Sequence, residues 1–150
     1  MANLCELISN SAEETIEIGR KIGEQLKGGE VMGICGPLGS GKTHLIKGIA
    51  VGAGAADSRQ VNSPTFVIVN EYSGRLDIFH LDAYRLNSID EFEMLGFDDF
   101  CYPQSVVLIE WADKIESALK NINYIRTELS HAGQDKRAML IKNMPAYMTL

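Results

Sequence analysis

The sequence predicts an α/β fold in which helices cover both faces of a mostly parallel central sheet. Helical and strand patterns alternate in the first half of the chain. The runs "VMGIC" (31–35) and "SVVLIE" (105–110) are wholly apolar, as is typical of buried parallel strands. After Asn121 the pattern changes to two alternating runs around a polar turn, which predicts an antiparallel hairpin at the C-terminal end of the sheet.

The first two helices have clear start and stop signals. Ser11 followed by Glu14 is a capping-box pattern, so we expect a helix to begin there and to end at the glycine pair 28–29. A second helix is predicted over residues 42–53, directly after an apolar strand.

Two β-rich runs, 66–72 and 76–84, are joined by Ser73 and Gly74, which predicts a hairpin. Ser88 with Glu91, and Asp113 with Glu116, are two further capping-box patterns, each predicting the start of a short helix.

Length and composition favour one globular domain over residues 1–150, with 143–150 as a loose tail. The formal net charge of -6 argues against direct binding to DNA or to an anionic membrane. Three scattered cysteines indicate neither disulfides nor a zinc site. No apolar run is long enough to span a membrane and no leader pattern is present, so we expect a cytoplasmic protein.

The stretch "GPLGSGKT" carries the clearest chemical signal of the chain. It matches G-x-x-x-x-G-K-S/T and lies between a predicted strand and a predicted helix. Glycines let successive backbone N–H groups surround a phosphate, and the helix start adds unpaired N–H groups. The ammonium of Lys42 can reach the terminal phosphates, and the hydroxyl of Thr43 is a ligand for Mg²⁺. We therefore expect this loop to hold a triphosphate and its metal, with Mg²⁺ at Thr43. The phosphate-binding residues are Gly36, Pro37, Leu38, Gly39, Ser40, Gly41, Lys42 and Thr43.

Two acids, Asp82 and Glu110, end apolar strands and are candidates for the second magnesium-side group that hydrolysis requires. Either could hold the metal. We assign magnesium binding to Asp82, through a water molecule. We place Glu110 near the metal and the water, where it would polarise that water or act as a base. The structural alternatives are a turn cap for Asp82 and a strand-end salt bridge for Glu110. Lys42 completes the predicted catalytic set.

Three other residues have weaker signals. Thr65, in "VNSPTF", lies where a loop could sense the terminal phosphate. Trp111 follows Glu110 and is either a packing residue or a neighbour of the nucleotide. His80 shares a strand face with Asp82, and we expect it to be packed or hydrogen-bonded within the core.

Taken in order, "ETIEIG", "GPLGSGKT", "KGIA", "SPTF", "NEY", "HLDAYR", "LGF" and "LIEWAD" resemble the TsaE (YjeE) family. This resemblance covers residues 11–113. It implies a P-loop NTPase fold and Mg²⁺-dependent ATP hydrolysis in the synthesis of threonylcarbamoyladenosine in tRNA. It also implies partners that are TsaD- and TsaB-like. The acidic balance favours an indirect contact with tRNA, and we expect slow turnover without the partners, because small P-loop proteins are often slow until a partner completes the site.

Carried over by motif, the resemblance assigns Thr43 and Glu110 to magnesium and Asp82 to catalysis or the metal side. Thr65 and Trp111 would lie at the switch and around the nucleotide. Segments near the first helix and the C-terminal hairpin approach the nucleotide in the family, which adds Ser11, Thr15 and Arg137 as weaker candidates. Pro37, His44 and Ala83 depart from the family pattern without removing a required ligand.

The leading hypothesis is therefore an ATPase that drives the cycle of a tRNA-modifying complex. A small-molecule kinase could use the same phosphate cradle, although six unclustered arginines leave little sequence for a lid. A nucleotide-dependent protein-binding module with little turnover is the third alternative. The two strand-end acids argue against it.

Overall fold

One mixed sheet of seven strands organises the parts of the chain that the computed structural model describes, residues 4–55 and 69–150. The strands are β1 (Cys5–Ser9), β2 (Val31–Cys35), β3 (Val69–Ser73), β4 (Asp77–Asp82), β5 (Ser105–Glu110), β6 (Ile125–His131) and β7 (Arg137–Lys142). The α-helices are α1 (Ala12–Gln25), α2 (Lys42–Gly52), α3 (Ile89–Met94) and α4 (Phe97–Phe100). Two 3-10 segments, Ala83–Arg85 and Ala112–Leu119, follow β4 and β5.

The strand order is β1-β7-β6-β2-β5-β4-β3, and it corrects the expectation of a mostly parallel sheet. Among the described strands, β2 pairs in parallel with β5 and β6, and β4 pairs in parallel with β5. The other three pairings, β1 with β7, β6 with β7, and β3 with β4, are antiparallel. The sheet is therefore parallel at its centre and antiparallel towards both edges.

Several predicted elements are confirmed. Strands β2 and β5 have the bounds that their apolar runs indicate, and β3 and β4 form the expected hairpin around Ser73. Ser11 caps α1 by accepting a hydrogen bond from the Glu14 N–H, and Ser88 caps α3 in the same way with Glu91. The C-terminal strands β6 and β7 also pair antiparallel as predicted.

Two expectations are wrong, and one strand is missed by the sequence patterns. The missed strand is β1, whose pairing with β7 depends on residues at the other end of the chain. Asp113 does not cap a helix, because the segment after β5 already begins at Ala112. The end of the chain is not a loose tail: Met148 is buried in the core, and the Thr149 N–H donates to Gln25 Oε1 over 2.6 Å.

The two faces of the sheet carry separate apolar cores. Alternate residues of β5 face opposite sides, so Leu108 joins the core under α1 and α2 whereas Ile109 joins the core under α3, α4 and the 3-10 segments. Helices on both faces of the sheet are thus confirmed.

Helices α1 and α2 are in backbone contact through glycines. A Cβ atom on Gly48 would lie 2.0 Å from the Ile16 carbonyl oxygen, and one on Gly19 would lie 2.4 Å from the Leu45 oxygen. Gly23 and Gly52 repeat the arrangement one turn along. Only residues without a Cβ permit this approach, so the glycine pairs hold the start of α1 beside the start of α2.

No helix in the described ranges is long and apolar enough to cross a bilayer.

Candidate functional site

The loop between β2 and α2 has the conformation that its glycines indicate. Gly41, at the start of α2, has φ +97°, a left-handed conformation that favours glycine. It supplies no side chain to cap the helix. A Cβ on Gly36 would lie 2.6 Å from both Leu129 O and Ser40 Oγ. The loop therefore passes close to β6 and ends in a helix N-terminus suited to an anion.

Lys42 lies inside this loop. Its Nζ donates hydrogen bonds to the carbonyl oxygens of Gly36, over 2.7 Å, and of Pro37, over 2.9 Å. The same ammonium is 3.7 Å from the centroid of the Trp111 ring. Burial lowers the pKa of Lys42, and the nearby carboxylate of Glu110 opposes that shift. The lysine is a buried cation held at the base of the loop.

Glu110 lies against the start of α2. Thr43 Oγ1 donates to Glu110 Oε1 over 3.3 Å, although the two residues come from different elements. The carboxylate is buried, with 4% of the residue exposed. A hydroxyl and a carboxylate oxygen are thereby brought together beside the loop, and both are ligands that Mg²⁺ accepts.

Asp82 is the neighbour of Glu110 in the sheet, since the two residues are register partners at the carboxyl ends of β4 and β5. It accepts a hydrogen bond from the Tyr84 N–H over 3.1 Å and lies 3.4 Å from Arg85 Nε. Burial, followed by the negative charge of Glu110, raises the pKa of Asp82 above its usual value. The turn-cap alternative for Asp82 is thus realised, together with its place beside the second acid.

A cavity of about 630 Å³ opens above the loop. This size lies within the range of small-molecule sites. Its walls bring together most of the residues that the sequence singles out: Ser11, Thr15, Leu38, Gly39, Ser40, Gly41, Lys42, Thr43, Glu110, Trp111 and Arg137. Gly36 and Pro37 lie below them as carbonyl partners of Lys42. Asp82 stands next to Glu110 but does not line the cavity.

The start of α1 forms one wall of this cavity. Thr15 is buried, and its Oγ1 lies 2.6 Å from Ser9 Oγ. Ser9 also donates to the Ser11 carbonyl oxygen over 2.8 Å, which fixes the turn between β1 and α1. The Thr15 hydroxyl is therefore engaged in local structure, whereas Ser11 uses its side chain as the helix cap.

The C-terminal hairpin approaches the loop from the other side. Arg137 Nη2 donates to the Gly39 carbonyl oxygen over 3.2 Å, and a ring nitrogen of His131 lies 3.4 Å from Leu38 O. Arg137 is thus placed at the cavity, but its recorded contact there is with the loop itself.

Trp111 has an unusual backbone. Its φ of +62° is a conformation that bulky residues rarely adopt. The Trp111 N–H donates to Ile34 O over 2.9 Å, and the ring packs on Tyr84 with centroids 4.9 Å apart. Both sequence interpretations of Trp111 therefore hold in part, since it is a packing residue and also lines the cavity.

Thr65, the predicted sensor of the terminal phosphate, lies outside the described residues.

Asn10, Glu13, His44 and Asp135 also line the cavity without having been proposed for it. The spaced glycines of α1 and α2 were the signal that could have placed Asn10 and Glu13 near the loop. Within residues 4–55 and 69–150, no group of three His, Cys, Asp or Glu side chains is arranged to hold a metal ion. A magnesium ion here would need Thr43 and ligands from a bound nucleotide.

Comparison with known proteins decides the family. The family model described as "Threonylcarbamoyl adenosine biosynthesis protein TsaE" matches residues 9–139. The chain belongs to the TsaE family. The family takes part in tRNA threonylcarbamoyladenosine biosynthesis, which confirms the resemblance seen in the motifs.

Individual relatives agree. The chain is 42% identical over 126 residues to the tRNA threonylcarbamoyladenosine biosynthesis protein TsaE of Bacillus subtilis, covering 83% of this chain and 77% of the relative. It is 38% identical over 112 residues to the TsaE protein of Treponema pallidum, covering 75% of this chain and 82% of the relative. The crystal structure of Bacillus subtilis YdiB superposes with a TM-score of 0.73 at 29% identity, covering 99% of this chain and 90% of that one.

Proposed function

We propose that this chain is a Mg²⁺-dependent ATPase with a P-loop fold, whose hydrolysis drives the cycle of a cytoplasmic tRNA threonylcarbamoyladenosine complex. One observation carries the proposal: the glycine loop, Lys42, Thr43 and Glu110 meet at a single cavity. Each part of that arrangement corresponds to a requirement of phosphoryl transfer to water.

The loop provides the phosphate site. Gly41 provides no side-chain cap for α2, and the helix dipole adds partial positive charge at the same point. Lys42 supplies a full positive charge that can exchange carbonyl partners for phosphate oxygens. The cavity volume suits a nucleotide, and the donors lie at its base.

The carboxylate side provides the metal and water site. Magnesium, when bound with the nucleotide, would neutralise charge on the phosphates. Thr43 and Glu110 supply oxygens 3.3 Å apart that fit such an ion, and Asp82 lies in register beside them. Thr43 would bind the metal, whereas Glu110 and Asp82 would hold its water and orient the attacking water by accepting hydrogen bonds.

The family membership supports the cellular role, with TsaD- and TsaB-like proteins as the proposed partners and tRNA reached through them. The net charge of -6 favours protein partners over direct binding of nucleic acid.

Phosphate release from ATP should be measured for the full chain alone and with the TsaD- and TsaB-like pair. Stimulated, Mg²⁺-dependent release would support the proposal. Tight ATP binding without release under either condition would favour a binding module, and transfer of the terminal phosphate to a metabolite would favour a kinase.

A further inference from the structure

His80 is a buried polar residue that the proposed mechanism does not yet use. It lies on β4, and none of its surface is exposed. Its ring is near Tyr72, with centroids 6.4 Å apart. Within the described residues neither ring nitrogen has a hydrogen-bond partner of ordinary geometry. A buried donor without a partner is unfavourable, so such a residue calls for a physical reason.

The position of His80 beside Glu110 supplies such a reason. His80 Nε2 lies 3.5 Å from Glu110 Oε1. An N–H donor forms an ordinary hydrogen bond at about 2.7–3.2 Å, so a shift of about half an ångström would bring the two atoms within that distance. Catalytic hydrogen bonds often tighten by such amounts when substrate binds.

The tautomer follows from the surroundings. A neutral imidazole carries its proton on one nitrogen only. With the proton on Nδ1, a buried N–H would have no partner in the described part of the chain, and the Nε2 lone pair would face a carboxylate oxygen. With the proton on Nε2, the nitrogen that carries it lies 3.5 Å from a carboxylate acceptor. The second tautomer is therefore favoured.

We propose that His80 is a positioning residue that donates its Nε2–H to Glu110 Oε1 and fixes the orientation of that carboxylate. Thr43 Oγ1 contacts the same oxygen over 3.3 Å, so the two donors hold Oε1 from different elements. This inference rests on the proposed role of Glu110 at metal and water. It assigns no metal or substrate contact to His80 itself.

The test uses three variants of the full chain. A glutamine amide can place an N–H where the Nε2–H lies, an asparagine amide falls near the position of Nδ1, and leucine fills the space without a donor. His80→Leu and His80→Asn are expected to lower kcat about 10- to 100-fold, the range seen for groups that orient metal-site ligands. His80→Gln is expected to recover most of that loss. The KM for ATP should change less than about twofold, because the phosphate cradle is intact.

A second readout does not depend on hydrolysis. Trp111 is the only tryptophan of the chain, and its ring centroid lies 3.7 Å from Lys42 Nζ. Its fluorescence can therefore follow binding of a non-hydrolysable ATP analogue. His80→Leu and His80→Asn should require about tenfold more Mg²⁺ for the same binding signal, whereas His80→Gln should behave nearly like the wild-type chain. Thermal unfolding of each variant measures any loss from packing.

Two results would overturn the inference: all three variants matching the wild-type chain, or all three being impaired equally and in proportion to their loss of thermal stability. Failure of the proposed function looks different. In that case the wild-type chain would release no phosphate, even with the partner pair, while the order of the variants in the Mg²⁺ titration would still decide the role of His80.

Discussion

The two halves of the site, the phosphate side and the acidic side, are built in different ways. The phosphate side is one continuous segment, Gly36 to Thr43, whose shape follows from its own glycines and from the start of α2. The acidic side joins Asp82 and Glu110, which come from separate strands and meet only because β4 and β5 pair in register. A local sequence can specify the first half, whereas the second exists only once the sheet has formed.

The halves also bury charges of opposite sign. Burial lowers the pKa of Lys42 on one side and raises the pKa of Asp82 on the other. In both cases the folded chain disfavours the charged form that the proposed reaction uses. The site therefore reduces stability, and the surrounding packing must compensate for it.

The largest effect is expected on the phosphate side. Lys42→Ala should lower ATP hydrolysis by about 10²–10³-fold and weaken ATP binding, because the charge beside the phosphates is lost. Steady-state phosphate release and equilibrium binding would measure both. Lys47→Ala is the matched control, since Lys47 is also on α2 but does not line the cavity. Equal activity of the two variants would remove Lys42 from the mechanism.

The acidic side should behave differently. At saturating Mg²⁺, Glu110→Gln is expected to keep ATP binding within about twofold while lowering kcat about 10²-fold or more, because the amide cannot accept a proton or polarise water as the carboxylate does. Binding and single-turnover measurements would separate the two quantities. A loss of binding equal to the loss of turnover would give Glu110 a structural role and erase the contrast between the halves.

The wall formed by α1 depends on the glycine contact. Gly48→Ala places a methyl group 2.0 Å from the Ile16 carbonyl oxygen, so the helices must separate. We expect the free energy of unfolding to fall by about 1–3 kcal/mol, although alanine favours helix formation. Urea unfolding would measure it. If Gly48→Ala were as stable as Lys47→Ala, the backbone contact between α1 and α2 would not be required.

The smallest effect is a gain in stability. The raised pKa of Asp82 means that its ionisation destabilises the folded chain as pH rises above the unfolded value of 3.8. Asp82→Asn should therefore raise the free energy of unfolding at pH 7, without Mg²⁺ or nucleotide, by about 0.5–1 kcal/mol. The gain should shrink as pH falls and should vanish below 3.8, because Asp82 is then protonated in both states. A loss of stability at pH 7 would show that its contacts with Tyr84 and Arg85 outweigh burial.

The same contrast explains what the sequence could predict. The loop, β2, β5 and the two strand-end acids follow from local patterns, and the structure has them where those patterns indicate. Strand β1 and the wall formed by α1 depend on contacts between distant parts of the chain, namely β7 for the strand and Gly48 for the helix. The contact of His80 with Glu110 likewise depends on the pairing of β4 with β5, which no local pattern encodes.

A crystal structure with Mg²⁺ and a non-hydrolysable ATP analogue tests the central claim most directly. The account predicts phosphates bound by the N–H groups of residues 36–43, Lys42 turned towards the terminal phosphate, and magnesium at Thr43 on the side of Glu110. An analogue bound elsewhere, or phosphates in this cavity with the metal remote from both Thr43 and Glu110, would contradict it.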